Sequence, residues 1–139
     1  MTAKEYLSQY RDAVRMVEAS QDHLEELRAM ATRITPNYGA EGGGTHQCGD
    51  KLGAAVARII EAENRVSDAL ELLEATEREV LATINKVSDN TLKALLYERY
   101  INGKTWEQIA VALNYSYRQT TRMHGAALIV VKHVLECPT

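Results

Sequence analysis

Apolar and small residues recur at alternating steps of four and three through the first quarter of this chain: Tyr6, Tyr10, Ala13, Val17, Ser20, Leu24, Leu27, Ala31 and Ile34. This pattern constrains the fold more than any other, because such a spacing is the seam of an α-helix packed along its length on another helix. Pro36 then forbids continuation. A second run obeys the same rule: Leu52, Val56, Ile59, Glu63, Val66, Leu70, Leu73, Glu77, Val80, Ile84 and Val87. The expectation is a long antiparallel, coiled-coil-like helical hairpin over residues 1–87, each helix roughly 45–50 Å long at 1.5 Å per residue. Glu63 and Glu77 are costly on a seam unless they reach solvent or meet a base such as Arg15 or Arg28, so a place at the rim is expected for them. Ile60 and Ala69, beside the seam, point to burial on a second side, as when two hairpins pair into a four-helix bundle. Self-association as a homodimer or higher oligomer follows.

Between the two runs lies TPNYGAEGGGTHQCGD, residues 35–50, which holds five of the eight glycines and has no periodicity. A mobile loop is expected there. GTHQCGDK, residues 44–51, superficially resembles a phosphate loop, but Asp50 stands at the lysine position, Leu52 is neither Ser nor Thr, and no strand precedes it. His46 and Cys48 fall short of the four ligands that zinc requires, and His23 and Cys137 belong to other elements. No metal or cofactor is expected.

Charge divides the chain at the point where the heptads stop. Residues 1–87 carry 10 Lys/Arg against 15 Asp/Glu, whereas residues 88–139 carry 6 against 4, within a whole-chain charge of −3. The second part is therefore free to approach a polyanion with a small phosphate footprint. Apolar residues at 45% with only two prolines favour an all-α core over turn-rich β architecture. The longest apolar run, AALIVV at 126–131, is too short to span a bilayer, and the two cysteines form no disulfide framework. A cytoplasmic protein with reduced thiols and no membrane partner is expected.

After Val87 a compact unit begins, expected to be a separate domain over residues 88–139. Ser88-Asp89-Asn90 offers N-cap candidates, and Leu92, Leu95, Leu96 and Tyr100 form an apolar helical face ended by Asn102-Gly103. Thr105 with Gln108 is a capping-box pair opening a helix whose Trp106, Ile109, Ala110 and Leu113 point inward. Ser116 with Gln119 repeats the device after a turn at Asn114-Tyr115. That interval has the size of a helix-turn-helix. On the last helix Thr120, Met123, Ala127, Leu128 and Val131 make the inner stripe, leaving Tyr117, Arg118, Thr121, Arg122 and Gly125 outward near its start, with no acid among them. Arginine pairs with guanine in bidentate fashion, and Thr121 or the Tyr117 ring suits a thymine methyl or a phosphate. Double-stranded DNA is the expected partner, contacted by Tyr117, Arg118, Gln119, Thr121 and Arg122.

These residues also carry a resemblance. LLYERYINGKTWEQIAVALNYSYRQTTRMHGAAL, residues 95–128, resembles region four of bacterial sigma factors. More closely it is similar to phage and prophage transcriptional regulators of the ArpU/RinA type, in which a long helical segment with a Gly-rich interruption and a stretch like DKLGAAVARIIEAENRV, residues 50–66, precedes the module. The resemblance implies a sigma-like helix-turn-helix and puts base reading on Tyr117, Arg118, Thr121 and Arg122. Two departures stand out. Ile129 and Val130 follow Ala127-Leu128 where sigma-type modules are richly charged, so burial against the hairpin or a second subunit is expected there, and the recognition helix has few basic residues.

His23, His46, His124 and His133 have no partner carboxylate or nucleophile within one element. A non-enzyme is expected: a sequence-specific DNA-binding transcriptional regulator of phage or prophage origin. Two other classes stay open, a DNA-packaging recognition subunit of the small-terminase kind and an interaction module that applies the sigma-like surface to RNA polymerase.

Overall fold

In a computed structural model, which describes residues 1–34 and 45–137, every regular element among the described residues is helical. Five α-helices follow one another: α1 (Ala3–Ile34), α2 (Thr45–Asn85), α3 (Asn90–Leu96), α4 (Trp106–Leu113) and α5 (Tyr117–Glu136). A π-helical turn, Tyr97–Ile101, prolongs α3. Among the described residues no helix is long and apolar enough to cross a membrane.

Local chemistry sets most of the helix ends. At the start of α1 the Thr2 hydroxyl accepts from Glu5 N–H at 3.2 Å and the Glu5 carboxylate accepts from Thr2 N–H at 2.8 Å, a reciprocal box that uses two donors no helix can satisfy internally. Asp89 caps α3 by accepting from Thr91 and Leu92 N–H. The α3 segment ends through the bond from Asn102 N–H to Tyr97 O, which closes the wider π ring, and Gly103 then takes a left-handed φ of 69°. A β-carbon at residue 103 would also lie 2.8 Å from the Arg11 guanidinium and displace that side chain. Residues 35–44 lie outside the described residues, and with them Pro36 and most of the expected loop, as do the side chains of His46 and Cys48. Residues 45–50, expected in that loop, are helical. Gly49 is the weakest helix former among them, costing about 1 kcal/mol relative to alanine, and α2 carries it within its first turns.

The chain forms two compact units, and their boundaries differ from the expected division at residue 87. One comprises Met1–Val14 with Leu73–Thr139, the other Arg15–Leu72. In the first, Leu7, Val80, Ile84, Val87, Leu96, Tyr100, Ala127 and Val131 form one core, so the opening turns of α1 are built into the unit that holds α3, α4 and α5. Leu7 is fully buried although it lies off the expected seam. In the second unit Leu24, Leu27 and Ala62 are buried with Ile59 and Val66 packed against them.

Along α2 the expected stripe fails at three positions, Val56, Glu63 and Leu70, which are exposed. Leu52, Ile59, Val66, Leu73, Val80 and Ile84 are buried or half-buried as anticipated, as is Val87 just beyond the helix, but Ala55, Ala62 and Ala69, each one residue earlier, are covered in place of Val56, Glu63 and Leu70. Small side chains occupy the tight positions. Glu63 is thereby exposed and Glu77 half-buried, which relieves the cost of a carboxylate on the seam, while Val56 and Leu70 are left in solvent.

Candidate nucleic-acid interface

The connection between α4 and α5 is three residues, Asn114–Ser116. Asn114 adopts a left-handed φ of 61°, a conformation its short amide side chain tolerates, and its N–H returns to the α4 carbonyls. Thr105 and Gln108 form the complete capping box at the start of α4. Ser116 forms the first half of the same device on α5, accepting from Gln119 N–H at 3.1 Å, without the reciprocal bond from the Gln119 side chain.

Rotation of α5 is fixed by Thr120, Ala127 and Val131, all fully buried. Thr120 is neutralised inside by a hydroxyl bond to Ser116 O at 2.8 Å. Arg118 and Arg122 each stand two residues from Thr120, about 200° around the helix, so they point directly away from the core; both are exposed. Gly125 and Ile129, each two residues from Ala127, continue that outer line, and Ile129 is 60% exposed. Tyr117, 52% exposed, and the exposed Gln119 flank the arginine line on either side. Thr121 is half-buried and donates its hydroxyl to Arg118 O at 2.9 Å, so a methyl rather than a free donor is its outward offer. The first acid on α5 is Glu136, at the far end. Glu107 of α4 borders the shallow groove it forms with Val111, Tyr115 and Tyr117.

Behind this surface, side chains from three elements hold α5 in place. Tyr100 and His124 meet through a 2.7 Å hydrogen bond between hydroxyl and Nε2. The His124 ring centroid lies 4.4 Å from that of Trp106, and the Arg99 guanidinium sits 4.5 Å from the Trp106 ring centroid, a cation–π arrangement. Arg99 also donates to Lys104 O at 3.0 Å, and Lys104 pairs with Glu98, which holds the Glu98 carboxyl below its usual range. From α1, Arg11 donates to Ile101 O at 3.1 Å, closing the end of the π-helical turn. Burial pushes His124 down to about 4, helped by Lys4 and Arg99, and pushes Tyr100 up to about 12 against the opposing charge of Arg99. His124 is thus a neutral packing residue.

None of Arg11, Arg99, Tyr100 and His124 stood out as a support for α5 in the sequence. Their meeting depends on a π-helical turn and on a contact over 90 residues, for which no periodicity exists. Val130, expected to be covered, packs on the core, whereas its neighbour Ile129 does not. Among the described residues no group of three or more His, Cys, Asp or Glu is placed to hold a metal. No known protein family, curated protein or solved structure matches this chain.

Proposed function

We propose that this protein is a sequence-specific, double-stranded-DNA-binding transcriptional regulator of the phage or prophage type, with α4, the Asn114–Ser116 turn and α5 as its helix-turn-helix and α5 as the recognition helix. The observation that carries the reading is the line of Arg118 and Arg122 set diametrically opposite the buried Thr120, at the capped start of a helix with no acid before Glu136. Two guanidinium forks on one turn of an exposed helix suit the acceptor edges of guanine in the major groove. Tyr117, Gln119 and the Thr121 methyl supply flanking contacts to sugar, phosphate or thymine.

The α1 and α2 helices are read as an antiparallel hairpin that associates with further copies of the chain. Exposed Met16, Met30, Val56, Ile60 and Leu70, all in the Arg15–Leu72 unit, support this, since apolar side chains of that size gain by mutual burial. The test is selection from a randomised duplex pool at two salt concentrations. A regulator enriches one motif at both. Enrichment of none removes sequence-specific reading, and the absence of any DNA binding removes the DNA partner altogether.

A further inference from the structure

Gly125 occupies the interior of α5, as its ninth residue, where glycine is an unfavourable choice. Inside proteins such a glycine is commonly explained by a neighbour that leaves no room for a β-carbon. Here that explanation is absent: a β-carbon built on Gly125 meets nothing within 4 Å, and the residue is exposed. Its φ is not in the left-handed region either, so backbone conformation does not demand it. What distinguishes the position is its direction. Gly125 continues the line of Arg118 and Arg122, one turn beyond the second arginine and two residues from the fully buried Ala127.

We infer that Gly125 is the point of closest approach between α5 and DNA, a gap in the helix surface that lets the wall of the major groove come against the backbone while Arg118 and Arg122 reach base edges. This rests on the DNA-binding reading above and extends it by assigning the depth and the limit of the contact. Arg118 to Gly125 spans seven residues, about 10 Å, or about three base steps at 3.4 Å each. The reading segment therefore ends near Gly125, and Ile129, next on the same line, lies beyond the groove. Charge complementarity commits the occupant: two arginines and no carboxylate between Tyr117 and Leu135 favour a polyanion over an acidic-residue-poor protein surface.

A methyl group at residue 125 then has opposite effects on fold and function. Gly125→Ala should raise the melting temperature by about 2–4 °C, since alanine is the better helix former and has open space to occupy. The same variant should bind the selected duplex more weakly by roughly five- to hundredfold, the loss expected when a base contact is broken. Gly125→Leu should weaken it further. Gly53, a helical glycine of α2 with equally open surroundings, is the matched control, and Gly53→Ala should gain stability with DNA binding unchanged. Thermal melts and duplex titrations on the full-length wild type and the three variants decide the matter. Opposite signs in stability and binding at residue 125, with no binding change at residue 53, support the inference. If Gly125→Ala and Gly125→Leu bind the selected duplex as tightly as the wild type, the close approach is overturned while the DNA-binding reading stands. If the wild type binds no DNA, both fall together.

Discussion

Both units of this molecule draw on the same two long helices, yet they bury their apolar surface very differently. The Met1–Val14 and Leu73–Thr139 unit adds α3, α4 and α5 to the helix pair, and eight side chains close into a core with Leu7, Val80, Ile84, Leu96, Ala127 and Val131 at zero exposure. Among the described residues the Arg15–Leu72 unit has the helix pair alone, buries Val17, Leu24, Leu27 and Ala62, and leaves Val56, Ile60 and Leu70 in solvent. A pair of helices has one seam to offer and cannot enclose a second face. The difference teaches that the first unit encloses a core of its own, whereas the second leaves much of its helix-pair surface uncovered; self-association is proposed for the second on that ground, and DNA binding for the first on the outward arginines of α5.

The largest effect that could break this comparison is in the cores. Leu96→Ala should cost about 2–5 kcal/mol in chemical denaturation, because a fully enclosed leucine leaves a cavity, while Leu27→Ala should cost under about 2 kcal/mol at the rim of a thin seam. Equal costs would mean that the units are equally well packed. Next comes assembly. Leu70→Asp, on exposed surface, should convert an oligomer to monomers by light scattering with helicity kept, whereas Leu24→Asp, inside the seam, should lose helicity as well. A monomeric wild type at micromolar concentration would end the self-association reading.

Smaller effects sharpen the account of the first unit. Thr105→Ala and Ser116→Ala each remove one cap bond, the hydroxyl accepting from Gln108 or Gln119 N–H, and should each cost about 1 kcal/mol. His124 sets a pH dependence whose sign is definite. Its folded value of about 4 lies below the ordinary 6.5, so unfolded chains take up a proton that the folded state excludes. Stability from this source is full above about pH 6.5 and declines as pH falls toward 4. His124→Gln, compared by slope across that window, should show a flatter profile; an unchanged slope would place the titration elsewhere.

Much of this was legible in the residues, and the gaps have physical causes. Caps are local chemistry, so Asp89, Thr105 and Ser116 could be read three residues at a time. The inner stripe of α5 followed from its period, and with it the outward direction of Arg118 and Arg122. In the first half of α2 size is a poor sign of burial: Val56 and Leu70 are exposed while Ala55 and Ala69 beside them are half-buried, whereas Val80 and Ile84 are buried as their spacing predicts. Leu7 was missed since a heptad template allows one seam, and the first unit packs its core around a second face of α1. The π-helical turn and the Arg11 bond to Ile101 O are tertiary facts without a spacing rule.

The claim at the centre is that Arg118 and Arg122 read bases and do not merely neutralise phosphates. Its most direct test is equilibrium binding of the wild type, Arg118→Ala and Arg122→Ala to the selected duplex and to a scrambled duplex of equal length, at two salt concentrations. Base reading predicts a loss of about 1–3 kcal/mol for each variant on the selected duplex, with little change on the scrambled one. Equal weakening on both duplexes, with the salt slope reduced by about one per arginine, would contradict it and leave the arginines as phosphate contacts.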